Sequence, residues 1–366
     1  MNRTLRSLLV LVIALGFASV VCLGLVFLLA GDDIVDFLRV APARFNVFLN
    51  RDALDEPTGE STDPVRFLVA NGDTPPVISQ NLLGAGLIND SELFVDYVRA
   101  QSLDVELEAG VYFFSETQTI RQIALALTDS STSQITFSIL PGWRIEEVAA
   151  AIDVNPLFGF SGSEFLNVVG RGAQVDPAFA QLVGLPVGAS LEGFLFPDSY
   201  SLSPDITPIG LRDVLLESFR AGLSTQVIDD IRDQGFSIFD IVTFASIVQR
   251  EAVQTEEYPV IASVYRNRYD ISMNLEADPT VQYPLGNASN WWPRITAADY
   301  QGVISDYNTY RINGLPPGPI ASPGLRTIEA TVYPDETPFF FFRADCRTDG
   351  YHDFAITFEE HLANGC

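Results

Sequence analysis

The sequence contains no lysine, two histidines and three cysteines among its 366 residues. Without lysine the chain cannot form a P-loop, a Ser-Lys dyad or a Schiff-base site. The few histidines and cysteines show no zinc-binding spacing, so we expect no metal and no cofactor. All 21 basic residues are arginines, and the formal net charge of −26 argues against nucleic acid as a partner.

One long apolar run lies close to the N-terminus. Leu8–Ala30 is long enough to span a bilayer, and no small-x-small cleavage site follows it. The flanking charges are Arg3 and Arg6 before the run, and Asp32, Asp33 and Asp36 after it. Because positive residues stay inside, we predict a single uncleaved anchor, a cytoplasmic tail at 1–7, and an extracytoplasmic remainder.

The next part of the chain repeats one pattern. An acidic segment rich in turn formers makes 31–64 a predicted linker. Strands at Arg66–Ala70 and Ile135–Leu140 are each followed by a glycine turn and a short helix. This pattern is similar to the LysM-like units that bind N-acetylated glycans, and we assign 65–155 to such a region. A small packing module without a ligand is the alternative.

The segment Ala245–Ala252 contains the most informative carboxylate. Ser237 and Asp240 form an S-x-x-D signal that predicts a helix start. Apolar residues then recur every three or four positions, and Glu251 lies on the same apolar face. Burial would keep its carboxyl partly protonated near neutral pH, as a general acid requires. The alternative is a structural ion pair between Glu251 and an arginine at the edge of the core.

The C-terminal third is dense in proline, glycine and tyrosine. Loops are predicted at Ala277–Tyr283, Tyr307–Tyr310 and Gly314–Ile320, where Asn308 and the tyrosines could bind and stack on a sugar. Turn chemistry and core aromatics are the alternative explanation. Phe339–Phe342 is predicted to be a buried strand.

Six segments together resemble the YceG-like (MltG) family of membrane-anchored endolytic murein transglycosylases, in the order of that family. These segments are Leu191–Tyr200, Ala245–Glu251, Val264–Arg268, Leu275–Tyr283, Tyr307–Gly324 and His352–His361. The resemblance implies that Glu251 is the catalytic acid, since Gln249 replaces the first glutamate of the family's Glu-Lys-Glu pattern. It also implies that 156–366 is the catalytic domain, of mixed α/β structure, in an α+β protein. The loop around Trp291 and Trp292 departs from the family.

The candidate substrate-binding residues lie in and around these segments. They are Glu192, Asp278, Tyr283, Asn308, Tyr310 and His352. Cys346 and Cys366 are the only cysteines outside the predicted anchor, and a disulfide between them suits an oxidising compartment. Two free thiols are the alternative.

The resemblance implies a lytic transglycosylase that cleaves the MurNAc–GlcNAc bond of nascent strands, leaves 1,6-anhydroMurNAc ends and terminates strand elongation. Its expected partners are peptidoglycan strands, the cytoplasmic membrane and penicillin-binding proteins. One alternative is a catalytically silent glycan-binding scaffold. Another is a hydrolase in which Glu192 or Asp278 is the second carboxylate.

Overall fold

The structure is a computed structural model, which describes residues 40–130, 134–347 and 349–365. The chain divides into two compact units, here called the first unit (40–130) and the second unit (134–365). Helices and strands occur in both, so the α+β class is confirmed. In the described ranges no helix is long and apolar enough to cross a membrane. The predicted anchor, Leu8–Ala30, lies outside those ranges.

The first unit consists of four helices and one two-stranded antiparallel sheet. Its elements in chain order are α1 (described over 40–49), β1 (Val65–Val69), α2 (Pro75–Gly84), α3 (Ser91–Ala100), β2 (Gly110–Phe114) and α4 (Ile120–Ala126). Short 3-10 turns occur at Asp52–Asp55 and Leu103–Val105. Strands β1 and β2 pair in register from Val65 opposite Phe114 to Val69 opposite Gly110. Gly72, at φ +91, makes the predicted turn between β1 and α2.

Part of the predicted linker belongs to this folded unit. Residues 40–49 are helical, and Leu54 is fully buried in the core of the first unit. Val47 packs against the same core. Leu54 lies within a stretch rich in turn formers, so its place in the core was not evident from composition.

The second unit contains eleven helices and two two-stranded antiparallel sheets within its described residues. Its helices are α5 (Ile145–Asp153), α6 (Gly162–Val169), α7 (Pro177–Val183), α8 (Pro208–Gly222), α9 (Thr225–Asp233), α10 (Ile238–Glu251), α11 (Tyr258–Asp270), α12 (Asp278–Leu285), α13 (Ala297–Gly302), α14 (Leu325–Val332) and α15 (Phe358–Ala363). Its strands are β3 (Ile135–Ser138), β4 (Ser199–Leu202), β5 (Phe341–Ala344) and β6 (His352–Ala355), paired as β3–β4 and β5–β6. A 3-10 turn at Thr255–Glu257 leads into α11.

Residues 134–155, which the sequence analysis placed in the LysM-like region, belong to this second unit. Strand β3 pairs with β4, and α5 packs against α6. The local strand–turn–helix pattern looked like a second copy of the first module. However, its partner strand comes some sixty residues later, between Ser199 and Leu202.

The four-phenylalanine segment differs from its prediction. Strand β5 begins at Phe341, and Phe339–Phe342 are all half-buried rather than buried. Both strands of a two-stranded sheet are edge strands, and only elements packed on its faces can bury their side chains. Instead the rings pack on nearby aromatic groups, such as Phe342 against Phe354 with centroids 6.1 Å apart.

Candidate active site

Helix α10 carries the predicted acid at its last residue. Ser237 and Asp240 form the predicted capping box, with Asp240 N donating to Ser237 Oγ at 3.1 Å. All but one of the residues from 238 to 248 are buried, so the helix is enclosed on every side rather than along one apolar face. The hydroxyl groups of Thr243 and Ser246 fit this setting because each donates to a backbone carbonyl of the same helix.

The Glu251 carboxyl accepts a hydrogen bond from the Tyr265 hydroxyl of α11, with 2.6 Å between Tyr265 Oη and Glu251 Oε1. Burial raises the pKa of Glu251 to about 7, and the charge of Asp278 raises it further, while the Tyr265 bond and nearby arginines oppose the shift. The described residues show no ion pair between Glu251 and an arginine. This geometry favours a carboxyl available for proton transfer over a structural ion pair.

Asp278 and Tyr310 lie beside this carboxyl. Asp278 begins α12, where the helix dipole favours a negative charge, and it accepts a 2.7 Å hydrogen bond from the Tyr310 hydroxyl. Tyr300 stacks on Tyr310 with ring centroids 4.3 Å apart. The charge of Asp278 acts on the Glu251 carboxyl. The structure therefore brings together Glu251, Asp278 and Tyr310, which lie far apart in the sequence.

Arg268 positions the segment that leads to Asp278. Its guanidinium donates to the carbonyl oxygens of Leu275 at 2.8 Å and Phe340 at 2.6 Å, and it forms an ion pair with Glu276 at 3.2 Å. Glu276 has a φ of +52, a strained conformation for a residue with a side chain. Arg268 thus joins α11, the start of α12 and the segment before β5 around the acid.

A second buried carboxyl, Glu192, lies in a separate cluster. It accepts hydrogen bonds from Ile145 N at 3.2 Å and from the Tyr283 hydroxyl at 3.2 Å. Burial, followed by the charge of Glu146, raises the pKa of Glu192 to about 8. The Arg144 guanidinium lies 4.1 Å from the centroid of the Tyr283 ring. Glu192 thereby joins the start of α5 to α12, and the structure places Tyr283 with Glu192 rather than with Glu251.

An arginine–tryptophan stack lies next to the acid along the chain. The Arg250 guanidinium lies 3.9 Å from the centroid of the Trp292 ring, and Trp292 Nε1 donates to Glu147 at 3.2 Å. Arg250 also donates to the carbonyl of Gly142 at 3.4 Å. The loop that departs from the family pattern therefore contacts the residue immediately before Glu251.

Comparison with known proteins places this arrangement in a family. Residues 67–365 match the YceG-like family. The chain belongs to that family. It is 27% identical over 326 residues to an endolytic murein transglycosylase of Bacillus subtilis (strain 168), covering 86% of this chain and 88% of that protein.

Two further relatives agree with this assignment. The chain is 27% identical over 317 residues to an endolytic murein transglycosylase of Streptococcus pneumoniae (strain D39), covering 81% of this chain and 57% of that longer protein. A crystal structure of a YceG-like protein from Listeria monocytogenes is similar with a TM-score of 0.54 and 27% identity. That match covers 83% of this chain and 99% of the Listeria chain.

Asn308 has a structural position in this YceG-like chain. It is fully buried, its amide donates to the carbonyls of Tyr300 at 3.0 Å and Val303 at 2.8 Å, and its Oδ1 accepts from Tyr310 N at 3.0 Å. These bonds satisfy the amide inside the loop and fix the backbone that presents Tyr310. In this structure Asn308 therefore lies behind Tyr310 in the loop, and its predicted contact with a sugar stays a prediction.

His352 contacts Glu257 rather than the Glu251 carboxyl. Its Nδ1 lies 2.8 Å from Glu257 Oε2, and its backbone N donates to the same carboxylate at 2.9 Å. Its ring meets the edge of Phe342, which in turn packs edge-to-face on Tyr265. His352 therefore supports Tyr265 through Phe342 and does not reach Glu251 directly.

Sequence reasoning missed Tyr265 and Arg268 as site residues, although both lie in the recognised Val264–Arg268 segment. Both side chains are buried on α11. An arginine one helical turn after the apolar Val264 is the sequence signal that could have identified Arg268. Across the described residues, no cluster of three or more His, Cys, Asp or Glu is arranged to hold a metal ion. Cys346 is disulfide-bonded, whereas Cys366 lies outside the described ranges, so their pairing stays a prediction.

Proposed function

We propose that this chain is an endolytic peptidoglycan lytic transglycosylase that cleaves the MurNAc–GlcNAc bond and leaves 1,6-anhydroMurNAc ends. The observation that carries the proposal is the Glu251 carboxyl, whose pKa is raised to about 7 by burial. Membership of the YceG-like family supports it, as do the two relatives named endolytic murein transglycosylase.

Glu251 performs both proton transfers in this reaction. Its carboxyl protonates the glycosidic oxygen as the bond from MurNAc C1 breaks, and the MurNAc C6 hydroxyl then forms a new bond to C1. The resulting carboxylate accepts the hydroxyl proton, so the enzyme returns to its starting state without consuming water. A pKa of about 7 suits a group that must both lose and regain a proton near neutral pH.

Tyr265 determines which carboxyl oxygen carries the proton. Because its hydroxyl donates to Oε1 of Glu251, the acidic proton resides on Oε2, which we assign to face the glycosidic oxygen. Burial and the adjacent carboxyl raise the pKa of Tyr265 well above its usual value, so its hydroxyl remains a donor throughout the reaction.

Asp278 supplies a negative charge to the same site. Its charge favours the protonated form of Glu251 before the reaction, and it stabilises positive charge that develops at the sugar in the transition state. Tyr310 holds the Asp278 carboxylate in position through a 2.7 Å hydrogen bond. Glu192 and Tyr283 maintain the position of α12, which begins with Asp278.

The enzyme acts from the outer face of the bacterial cytoplasmic membrane in this proposal. Leu8–Ala30 is the single-pass anchor, and the flanking charges direct the C-terminal part outwards. The antiparallel pairing of β1 with β2, with α2 and α3 between them, supports a LysM-like role for the first unit. Nascent strands and penicillin-binding proteins are then the partners, and cleavage terminates strand elongation.

Mass spectrometry of products from purified glycan strands tests the reaction. We expect anhydro ends, which are one water lighter than the reducing ends that a hydrolase would leave. Reducing ends would indicate that Asp278 acts as a second carboxylate, whereas binding without cleavage would indicate a silent scaffold. The topology has a separate test. Protease added to intact spheroplasts should digest the extracytoplasmic part, and full protection would contradict the proposed orientation.

A further inference from the structure

Helix α1 carries an exposed apolar stripe, which we define as Phe45, Phe48 and Leu49. Their side chains are 64%, 74% and 63% exposed, respectively. Positions i, i+3 and i+4 lie on one side of a helix, so the three side chains form one continuous surface. Two phenylalanines and a leucine on one exposed side of ten described helical residues form an apolar surface of the kind that marks an interaction site.

The opposite side of α1 is fixed on the core of the first unit. Ala43 is buried, and Val47 packs against the core. Asn46 donates a 2.7 Å hydrogen bond to Asp96 of α3. Because these contacts determine the rotation of the helix about its axis, the apolar stripe points away from the core of its own unit. Burying the stripe therefore requires a partner outside this unit.

The position of α1 along the chain indicates what that partner is. The predicted membrane span ends at Ala30, and the described part of α1 begins at Val40. Ten residue steps of extended chain reach at most about 35 Å, so the start of α1 cannot be farther than this from the end of the span. An apolar helical face within this reach of a bilayer can lie on it as an interfacial helix does.

We propose that the apolar stripe of α1 inserts into the headgroup–acyl boundary of the membrane that holds the anchor. This proposal rests on the proposed anchor at Leu8–Ala30. Arg44 in the middle of the described helix and Arg51 just after its end are both exposed, and arginines beside an inserted face can meet lipid phosphates. These are two of the five arginines in the described part of the first unit. The insertion would hold the first unit against the bilayer.

The test uses the full chain with Cys22→Ala, reconstituted into phosphatidylcholine and phosphatidylglycerol vesicles. A bimane fluorophore is attached at Phe48→Cys or, as a matched control, at Leu125→Cys. Leu125 is 65% exposed on α4 of the same unit but is not part of the stripe. The chain without an added cysteine gives the background labelling. Fluorescence is compared with and without nitroxide-labelled phosphatidylcholine in the vesicles.

We expect nitroxide lipid to quench the fluorophore at position 48 at least about threefold more than at position 125. Adding Phe45→Ser and Leu49→Ser should reduce the quenching at position 48 to the level of the control. Equal quenching at both positions would overturn the proposal. Protection of position 48 from aqueous iodide without quenching by the lipid would also overturn it, because a protein partner or second copy would then cover the stripe.

Alkaline carbonate extraction of the same vesicles separates this proposal from that of the anchor. Retention of the chain without selective quenching at position 48 would contradict the interfacial helix and leave the anchor intact. Release of the chain would contradict the anchor. In that case the quenching ratio between positions 48 and 125 would still report whether the stripe contacts lipid.

Discussion

The hydroxyl of Tyr265 lies 2.6 Å from Oε1 of Glu251, so the middle of α11 holds the last residue of α10. The tyrosine is itself packed edge-to-face against Phe342, at 5.7 Å between centroids. The orientation of the acid therefore depends on packing between the two helices and β5, and not on its own helix alone.

Two substitutions beside Glu251 should shift its pKa in opposite directions. Tyr265→Phe removes a hydrogen bond that lowers the pKa, so activity should persist to higher pH than in the unsubstituted chain. Asp278→Asn removes a charge that raises the pKa, so the decline in activity should begin at lower pH. The pH dependence of kcat/KM for release of anhydro-ended products measures both shifts. Shifts in the same direction would contradict the assigned electrostatics.

Glu192 should make the protein less stable as the pH rises. Its folded-state pKa is about 8, above the ordinary value of 4.5, so the folded state binds more protons between these values. Its stabilising contribution is fully present below about pH 4.5 and is lost as the pH rises towards 8, by roughly a few kcal/mol. Thermal unfolding of Glu192→Gln should show a smaller decrease in Tm between pH 5 and 8 than the unsubstituted chain.

Glu251 provides the comparison for this measurement. Its raised pKa acts in the same direction, so Glu251→Gln should remove a further part of the pH dependence. If Glu192→Gln left the slope of Tm against pH unchanged, the Glu192 carboxyl would be ionised in the folded protein, contrary to its burial.

The sequence predicted helix α10 because its signals are local, whereas the assignment of Glu251 as the acid rests on the family resemblance and stays a prediction. The capping box at Ser237 and the apolar spacing that follows it are readable within fifteen residues. The partner of the acid could not be read in the same way. Tyr265 reaches Glu251 only because the turn at 252–257 sends α11 back along α10, and no spacing rule gives that geometry.

Long-range pairing also explains two differences from the sequence predictions. The partner of β3 is β4, far along the chain, which transfers 134–155 from the first unit to the second. Asn308 resembles a surface amide in a loop rich in glycine and proline, yet the loop closes over it. In both cases the composition of the segment was interpreted correctly, but its surroundings were not available from sequence.

Asn308→Ala should destabilise the second unit and weaken catalysis through Tyr310. It leaves the carbonyls of Tyr300 and Val303 and the amide of Tyr310 without their partner, at a cost of about 1–3 kcal/mol for each buried group that water cannot reach. Chemical denaturation should therefore show a loss of at least about 2 kcal/mol. The exposed Asn81, replaced by Ala, is the control and should change little. If Asn308→Ala were as stable as the control, the result would favour a direct role of Asn308 in sugar binding.

Glu251→Gln should abolish most of the activity while preserving the fold. The amide keeps the shape of the side chain and can still accept the Tyr265 hydrogen bond, but it has no carboxyl proton to transfer. Loss of general acid catalysis alone costs roughly a hundred- to ten-thousand-fold in rate, and one residue serving both transfers should lie at or beyond the upper end. Release of anhydro-ended fragments and binding of glycan strands are measured on the same preparation.

Glu192→Gln and Asp278→Asn are the matched carboxyl-to-amide controls for Glu251→Gln. Glu192 is already bonded to Ile145 and Tyr283, and Asp278 acts on the acid through its charge, so both variants should retain more activity than Glu251→Gln. Near-normal cleavage by Glu251→Gln, together with loss of cleavage in either control, would transfer the role of the acid to that carboxyl. Unfolding of Glu251→Gln, detected as loss of its cooperative thermal transition, would instead indicate that Glu251 is required for the fold.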